Sequence, residues 1–113
     1  MESKKFIEVA DLQWEQFGPG LYRMILGYID DLMVVRVKFD KDGIAAMHSH
    51  PHTQSSYIVS GKYEFTVNGE TKLVQAGDGV LIKPNQMHAC VCIEPGLVID
   101  TFSPMREDFI KAH

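Results

Sequence analysis

The amino-acid sequence predicts an all-β domain, an antiparallel jelly roll of two packed sheets, and three features carry that expectation. Short stretches alternate apolar and polar residues with the period of two that sends successive side chains to opposite faces of a strand. Glycine-bearing turns interrupt these stretches about every 8 to 12 residues, the spacing of a sandwich or barrel. Asn68-Gly69 supplies the dipeptide best suited to a tight primed hairpin turn.

Along the chain, residues 6–17, from Phe6-Ile7-Glu8-Val9 to Trp14-Glu15-Gln16-Phe17, mix apolar and acidic positions without a clean period and lead into a turn at Gly18-Pro19-Gly20. Strands are expected over residues 22–27 and 32–39, the second with Met33, Val35, Val37 and Phe39 on one face and Arg36 and Lys38 on the other. Asp40-Lys41-Asp42-Gly43 turns the chain into a strand over residues 44–48. Tyr57-Ile58-Val59 runs up to Ser60-Gly61, after which Tyr63, Phe65 and Val67 alternate with Lys62, Glu64 and Thr66. Further strands are expected over residues 72–74, 79–82, 88–93 and 97–102. Ser103-Pro104 reads as an N-cap followed by proline at the first helical position, which predicts one short C-terminal helix over residues 105–111.

At 113 residues the chain is expected to be one domain, 1–113, with a single core. A net charge of −4 and a pI near 5.6 leave no basic footprint, which argues against nucleic acid or an anionic membrane surface as partner. No apolar run reaches the roughly 18 residues of a membrane span. Met1-Glu2-Ser3-Lys4-Lys5 leads into no secretory apolar core, so the cytoplasm is the expected location. Cys90 and Cys92 lie two apart on one strand face, where a disulfide between them would be strained. They read as small buried apolar residues in a reducing compartment. Their phase with His88 leaves thiolate ligation as the alternative.

Chemistry concentrates in His48-Ser49-His50-Pro51-His52-Thr53-Gln54 and, later, Lys83-Pro84-Asn85-Gln86-Met87-His88. A transition metal asks for imidazole nitrogens and a further donor at about 2.0 to 2.2 Å from one point. His48 and His50 share a strand face, and Gln54 shares their parity. A straight strand would carry Gln54 roughly 13 Å beyond His50, so the chain has to turn between them. Pro51, which withholds a ladder donor and fixes φ, supplies the interruption. His48, His50, Gln54 and His88 are therefore the candidate metal ligands. His52 sits in the turn itself and is expected at the mouth of the site or behind it. His113, at the chain end, carries no argument.

Gly43, the His48-x-His50 pair, Gln54 and Gly61, followed by Gly77, Pro84 and His88, resemble the two-part signature of the cupin superfamily. The resemblance covers about 40 per cent of the chain, between Gly43 and His88. It implies a double-stranded β-helix, the cupin jelly-roll barrel. It departs at Gln54, where glutamate is usual, at Asn85, where a turn glycine is usual, and at Cys92, where the motif often ends in asparagine. Gln coordinates through a neutral carbonyl oxygen, so three neutral histidines and Gln54 leave the full divalent charge on a metal, which suits an anionic ligand. Small cupins also often pass their first strand to a partner subunit. That implies a homodimer in which residues 1–20 are exchanged, with Trp14 either at the interface or plugging the barrel end.

Asp100 interrupts the apolar run Leu97-Val98-Ile99, and a buried carboxylate is costly unless paired or functional. Phe102 shares its face and would wall a pocket. Arg106 follows the strand, where its planar fork suits a carboxylate. The plainer readings are an Asp100–Arg106 ion pair and a solvated Arg106 on the terminal helix.

The run from Asp100 to Phe109 and the His-Ser-His-Pro-His segment ending in Gln54 look like the pectin-degradation cupins, small metal proteins that ketonise unsaturated uronates. The resemblance implies metal ligation by His48, His50, Gln54 and His88, catalysis by Asp100 and Arg106, and substrate contacts from Phe102 and Arg106. It implies one divalent transition metal, with nickel, zinc, manganese, iron and copper all acceptable to this donor set. The expected substrate is a carboxylated sugar, a 4,5-unsaturated monouronate from pectin or alginate breakdown that is converted to its linear keto form. The alternatives are a cupin that binds a sugar or organic acid without turnover and a non-haem metal dioxygenase.

Overall fold

The computed structural model describes residues 1–110. Ten strands run in chain order: β1 (Glu15–Gly18), β2 (Leu21–Ile29), β3 (Leu32–Phe39), β4 (Ile44–His48), β5 (Thr53–Ile58), β6 (Lys62–Val67), β7 (Glu70–Gln75), β8 (Gly79–Ile82), β9 (His88–Glu94) and β10 (Gly96–Ser103). They form two antiparallel sheets, one ordered β1-β2-β3-β10-β5-β8 and the other β4-β9-β6-β7. This is the expected jelly roll. Among the described residues no helix is long and apolar enough to cross a membrane.

The alternation of β3 decides which face turns inward. Met33, Val35, Val37 and Phe39 are all buried, while Arg36 and Lys38 point outward. The inward face meets Ile58, Ile82, Val98 and Phe102 of its own sheet and Tyr63, Phe65, Cys90 and Cys92 of the facing sheet. Phe39 and Tyr63 join the layers edge to face at 5.1 Å, the offset that aromatic quadrupoles prefer. Trp14 lies on the outside, its ring beneath the cations of Arg36 and Lys38 at 5.1 and 4.9 Å. It therefore does not plug the barrel end.

Turn chemistry follows the sequence. Asn68 and Gly69 both adopt positive φ, 49° and 84°, between the paired residues Val67 and Glu70, as a primed two-residue turn requires. Asn85 takes the left-handed conformation at φ 66°, so it performs the turn that a glycine usually makes there. Its N–H donates to the His50 carbonyl at 2.8 Å, tying the second motif segment to the first.

The C-terminal helix expected over residues 105–111 is a single 3-10 turn, Glu107–Phe109, and Lys111 and His113 lie outside the described residues. Ser103 remains in the ladder opposite Thr53 rather than capping a helix. The Met105 N–H is drawn to the Asp30 carbonyl, and Arg106 is extended at ψ 93°. Tertiary hydrogen bonds thus outweigh the local capping signal. At the other end, Ser3 exchanges hydrogen bonds with Tyr28 and the Met1 ammonium meets Asp30 at 2.8 Å, so the N-terminal segment lies along β2 of its own chain.

Candidate metal centre and cavity

Both sheets and the bend between β4 and β5 contribute to one site. The β4–β9 register sets His48 opposite His88, and the bend after His48 carries His50. After Pro51 the chain returns as β5, where Gln54 pairs with Phe102 and Ser56 pairs with Asp100 on β10. The turn anticipated at Pro51 thus brings Gln54 back to His50, with Gln54 Oε1 2.9 Å from His50 Nε2. Nitrogens of His48, His50 and His88 lie within 4.8 Å of one another, a group that could hold a metal ion. His50, His88 and Gln54 are buried and His48 is exposed.

The hydrogen bonds test whether these residues fit a cation. Nδ1 of His48, His50 and His88 each faces a backbone carbonyl, that of Ala46, His52 and Gln86, at 2.8, 3.1 and 2.9 Å. A carbonyl only accepts, so each Nδ1 carries the proton and each Nε2 presents a lone pair. His88 Nε2 is buried without a hydrogen-bond partner. His50 Nε2 faces a carbonyl oxygen, and two lone pairs at 2.9 Å repel unless something positive lies between them. Burial lowers the pKa of His50 and takes His88 down to about 4, so protonation does not resolve the conflict at neutral pH. Three fixed Nε2 lone pairs and an amide oxygen are the donor set of a borderline divalent metal.

His52 stands outside this group. Its backbone carbonyl orients His50, while its ring packs against Phe102, 6.5 Å between centroids. Cys90 and Cys92 are free and buried, and burial raises both thiols, Cys92 to about 11. They are neutral at pH 7 and lie outside the histidine group.

A cavity of about 530 Å³ joins His48, His88 and Gln54 to Asp100, Phe102 and Arg106. Asp100 accepts a 2.6 Å hydrogen bond from Ser56, whose oxygen accepts one from Gln54 Nε2 at 3.1 Å. Burial lifts the Asp100 carboxyl to about 6, against the opposing pull of the hydrogen bonds and of nearby Arg106. Neither plainer reading of Arg106 holds. Its Nε and Nη2 form a forked pair with Asp108 at 3.0 and 2.9 Å, and its guanidinium lies over the rings of Phe109 and Phe102. Arg23, from β2, also stacks on this aromatic group, 3.9 Å from the Phe109 centroid, and lines the cavity.

Sequence reasoning missed Ser56, Asp108 and Arg23. Ser56 was accessible, since it shares the strand face of Gln54 two residues on. Asp108 and Arg23 carried no such signal, because their positions depend on how the C-terminal turn folds back over β2.

A cupin-domain family profile matches residues 35–102, more than half of the chain. The chain belongs to the cupin family. This cupin is 42% identical over 99 residues to the pectin degradation protein KdgF of Dickeya dadantii (strain 3937), a match covering 86% of this chain and 90% of that one. Among solved structures it superposes on an RmlC-like cupin from Shewanella frigidimarina NCIMB 400 with a TM-score of 0.93, at 41% identity and over 96% and 97% of the two chains. It also superposes on KdgF from a Halomonas species with a TM-score of 0.90, at 37% identity and over 95% and 99% of the two chains. The cupin thus resembles pectin-degradation cupins in sequence and in fold.

Proposed function

We propose that this cupin is a metal-dependent enzyme that opens a 4,5-unsaturated monouronate, released from pectin or alginate, to its linear keto form. What carries the reading is one cavity that joins a histidine group fit for a metal to a buried carboxyl and an arginine, in a relative of pectin degradation proteins. His48, His50, Gln54 and His88 would hold the divalent metal, which supplies Lewis-acid polarisation of the sugar oxygens with its charge undiluted by a ligand carboxylate.

The chain's own groups perform the proton transfers. Asp100 takes the proton of the anomeric hydroxyl, the C1–O5 bond breaks as C1 becomes an aldehyde, and O5 leaves as an enol oxygen. The enol then becomes the ketone as C4 gains a proton, which Asp100 is placed to return. A carboxyl titrating near 6 suits both roles at neutral pH, being ionised enough to accept and acidic enough to give back. Arg106 binds the substrate carboxylate through the edge that Asp108 leaves open, and Phe102 walls the ring.

A homodimer in the cytoplasm, each protomer a single cupin domain over 1–113, belongs to the same proposal. It would cover Ile44, Leu73 and Val91, which are exposed on the outer face of the four-stranded sheet. Exchange of residues 1–20 would require release of the Ser3–Tyr28 pair, and sedimentation of the full chain tests the assembly.

Metal-loaded protein is to be incubated with unsaturated uronates from pectin and from alginate while the conjugated absorbance is followed. Loss of absorbance well above the spontaneous rate is expected. Saturable binding with no turnover would leave a binding cupin, and oxygen consumption would mark a dioxygenase.

A further inference from the structure

We propose that Ser56 is a positioning residue that decides which end of the Gln54 amide faces the imidazoles. The inference rests on the reading of Gln54 as a metal ligand. An amide presents two ends of nearly equal shape, an oxygen that can bind a cation and an NH2 group that cannot. Rotation about the last side-chain bond exchanges them, so a glutamine ligand needs a device that a carboxylate, with an acceptor at each end, does not.

Ser56 has the geometry of that device. It is fully buried, shares the strand face of Gln54, and stands opposite Asp100 in the β5–β10 register. A serine hydroxyl has one proton, and here it goes to Asp100 Oδ1 at 2.6 Å. The remaining lone pairs on Oγ can only accept, and the Gln54 NH2 group donates to them at 3.1 Å. The carbonyl oxygen is thereby left at the far end, 2.9 Å from His50 Nε2, whose own proton is committed elsewhere on the ring. With the amide reversed, Nε2–H would donate to His50 Nε2 and block the lone pair a metal needs. Asp100 therefore acts on the ligand set through the Ser56 hydroxyl, beside its own direct hydrogen bond from the Gln54 side chain.

The test is a double-mutant cycle on the full chain, with Co2+ as probe and two readouts, calorimetric affinity and the visible absorption of the bound ion. S56A is expected to weaken Co2+ binding roughly ten- to a hundredfold, the usual effect of removing a group that orients a ligand. Q54E supplies a ligand with no wrong end, so adding S56A to Q54E should change affinity by less than about threefold. That pattern also excludes general damage to the fold, which would weaken binding equally in both backgrounds. Wild-type affinity in S56A, or the same loss in the Q54E background as in the wild type, would overturn the role of Ser56. Undiminished affinity in Q54A, or no Co2+ binding by the wild type, would instead remove the ligand reading and this inference with it.

Discussion

Replacing Asp100 by asparagine separates the energetic effect of its burial from its chemistry. In the fold, burial lifts the carboxyl from 3.8 to about 6. In the unfolded chain it returns to about 3.9. Between these values the folded protein keeps a proton that the unfolded chain has released, so stability falls as pH rises through the window. The contribution is whole below about pH 4 and lost above about pH 6, and a gap of about two pH units amounts to about 3 kcal/mol. His50 and His88 act in the opposite sense, because burial lowers them. The stability they contribute is present above about 6.5 and lost as pH falls, through about 4 for His88. Both proteins share those histidines, so the difference between them isolates Asp100. Urea unfolding of chelator-treated wild type and D100N, followed by Trp14 fluorescence from pH 4 to 7.5, should show the advantage of D100N growing by about 2 to 3 kcal/mol. D100N should also lose about 10² to 10⁴ in turnover. A free-energy difference that stays flat across this range would refute the argument that the carboxyl is held in a site hostile to its charge.

Three further outcomes are expected. Chelation should abolish turnover, and restoring Zn2+ at a hundredfold above its Kd should stabilise the wild type by about 2.7 kcal/mol in a thermal melt. H88A should lose that stabilisation, and an unchanged melt would place the metal elsewhere. D108N removes the charge that engages the Arg106 fork, so KM for the uronate should fall about three- to tenfold with kcat little changed, because a substrate carboxylate no longer competes with an internal one. A rise in KM would instead make Asp108 a support that holds Arg106 in place. Gly61 has φ +92°, and a Cβ there would lie 2.6 Å from the Glu94 carbonyl oxygen. G61A should therefore destabilise by about 1 to 3 kcal/mol in urea unfolding, and a loss under about 0.5 kcal/mol would show that the turn relaxes.

The strands were legible where one face is buried and the other wet. β3 reads from its alternation alone, and Asn68-Gly69 announces its hairpin, because both depend on contacts within a few residues. Residues 53–56 were harder to place as strand. Thr53, Gln54, Ser55 and Ser56 are polar, and what makes them β5 is pairing with β10 on one side and β8 on the other. The C-terminal helix failed for the same reason, since Ser103-Pro104 carries a capping signal that the ladder opposite Thr53 overrides.

By itself the sequence determined the all-β class, the turn positions and the donor types, since periodicity, glycine and asparagine conformation and imidazole chemistry are local properties. It also supplied Asp100, because a carboxylate within an apolar strand is anomalous wherever the strand lies. Only the tertiary structure decided that Ser56 links Asp100 to Gln54, that Asp108 engages Arg106, and that the thiols of Cys90 and Cys92 stay neutral within the core. Those outcomes depend on strand register and on burial, and both arise from contacts between segments far apart in the chain.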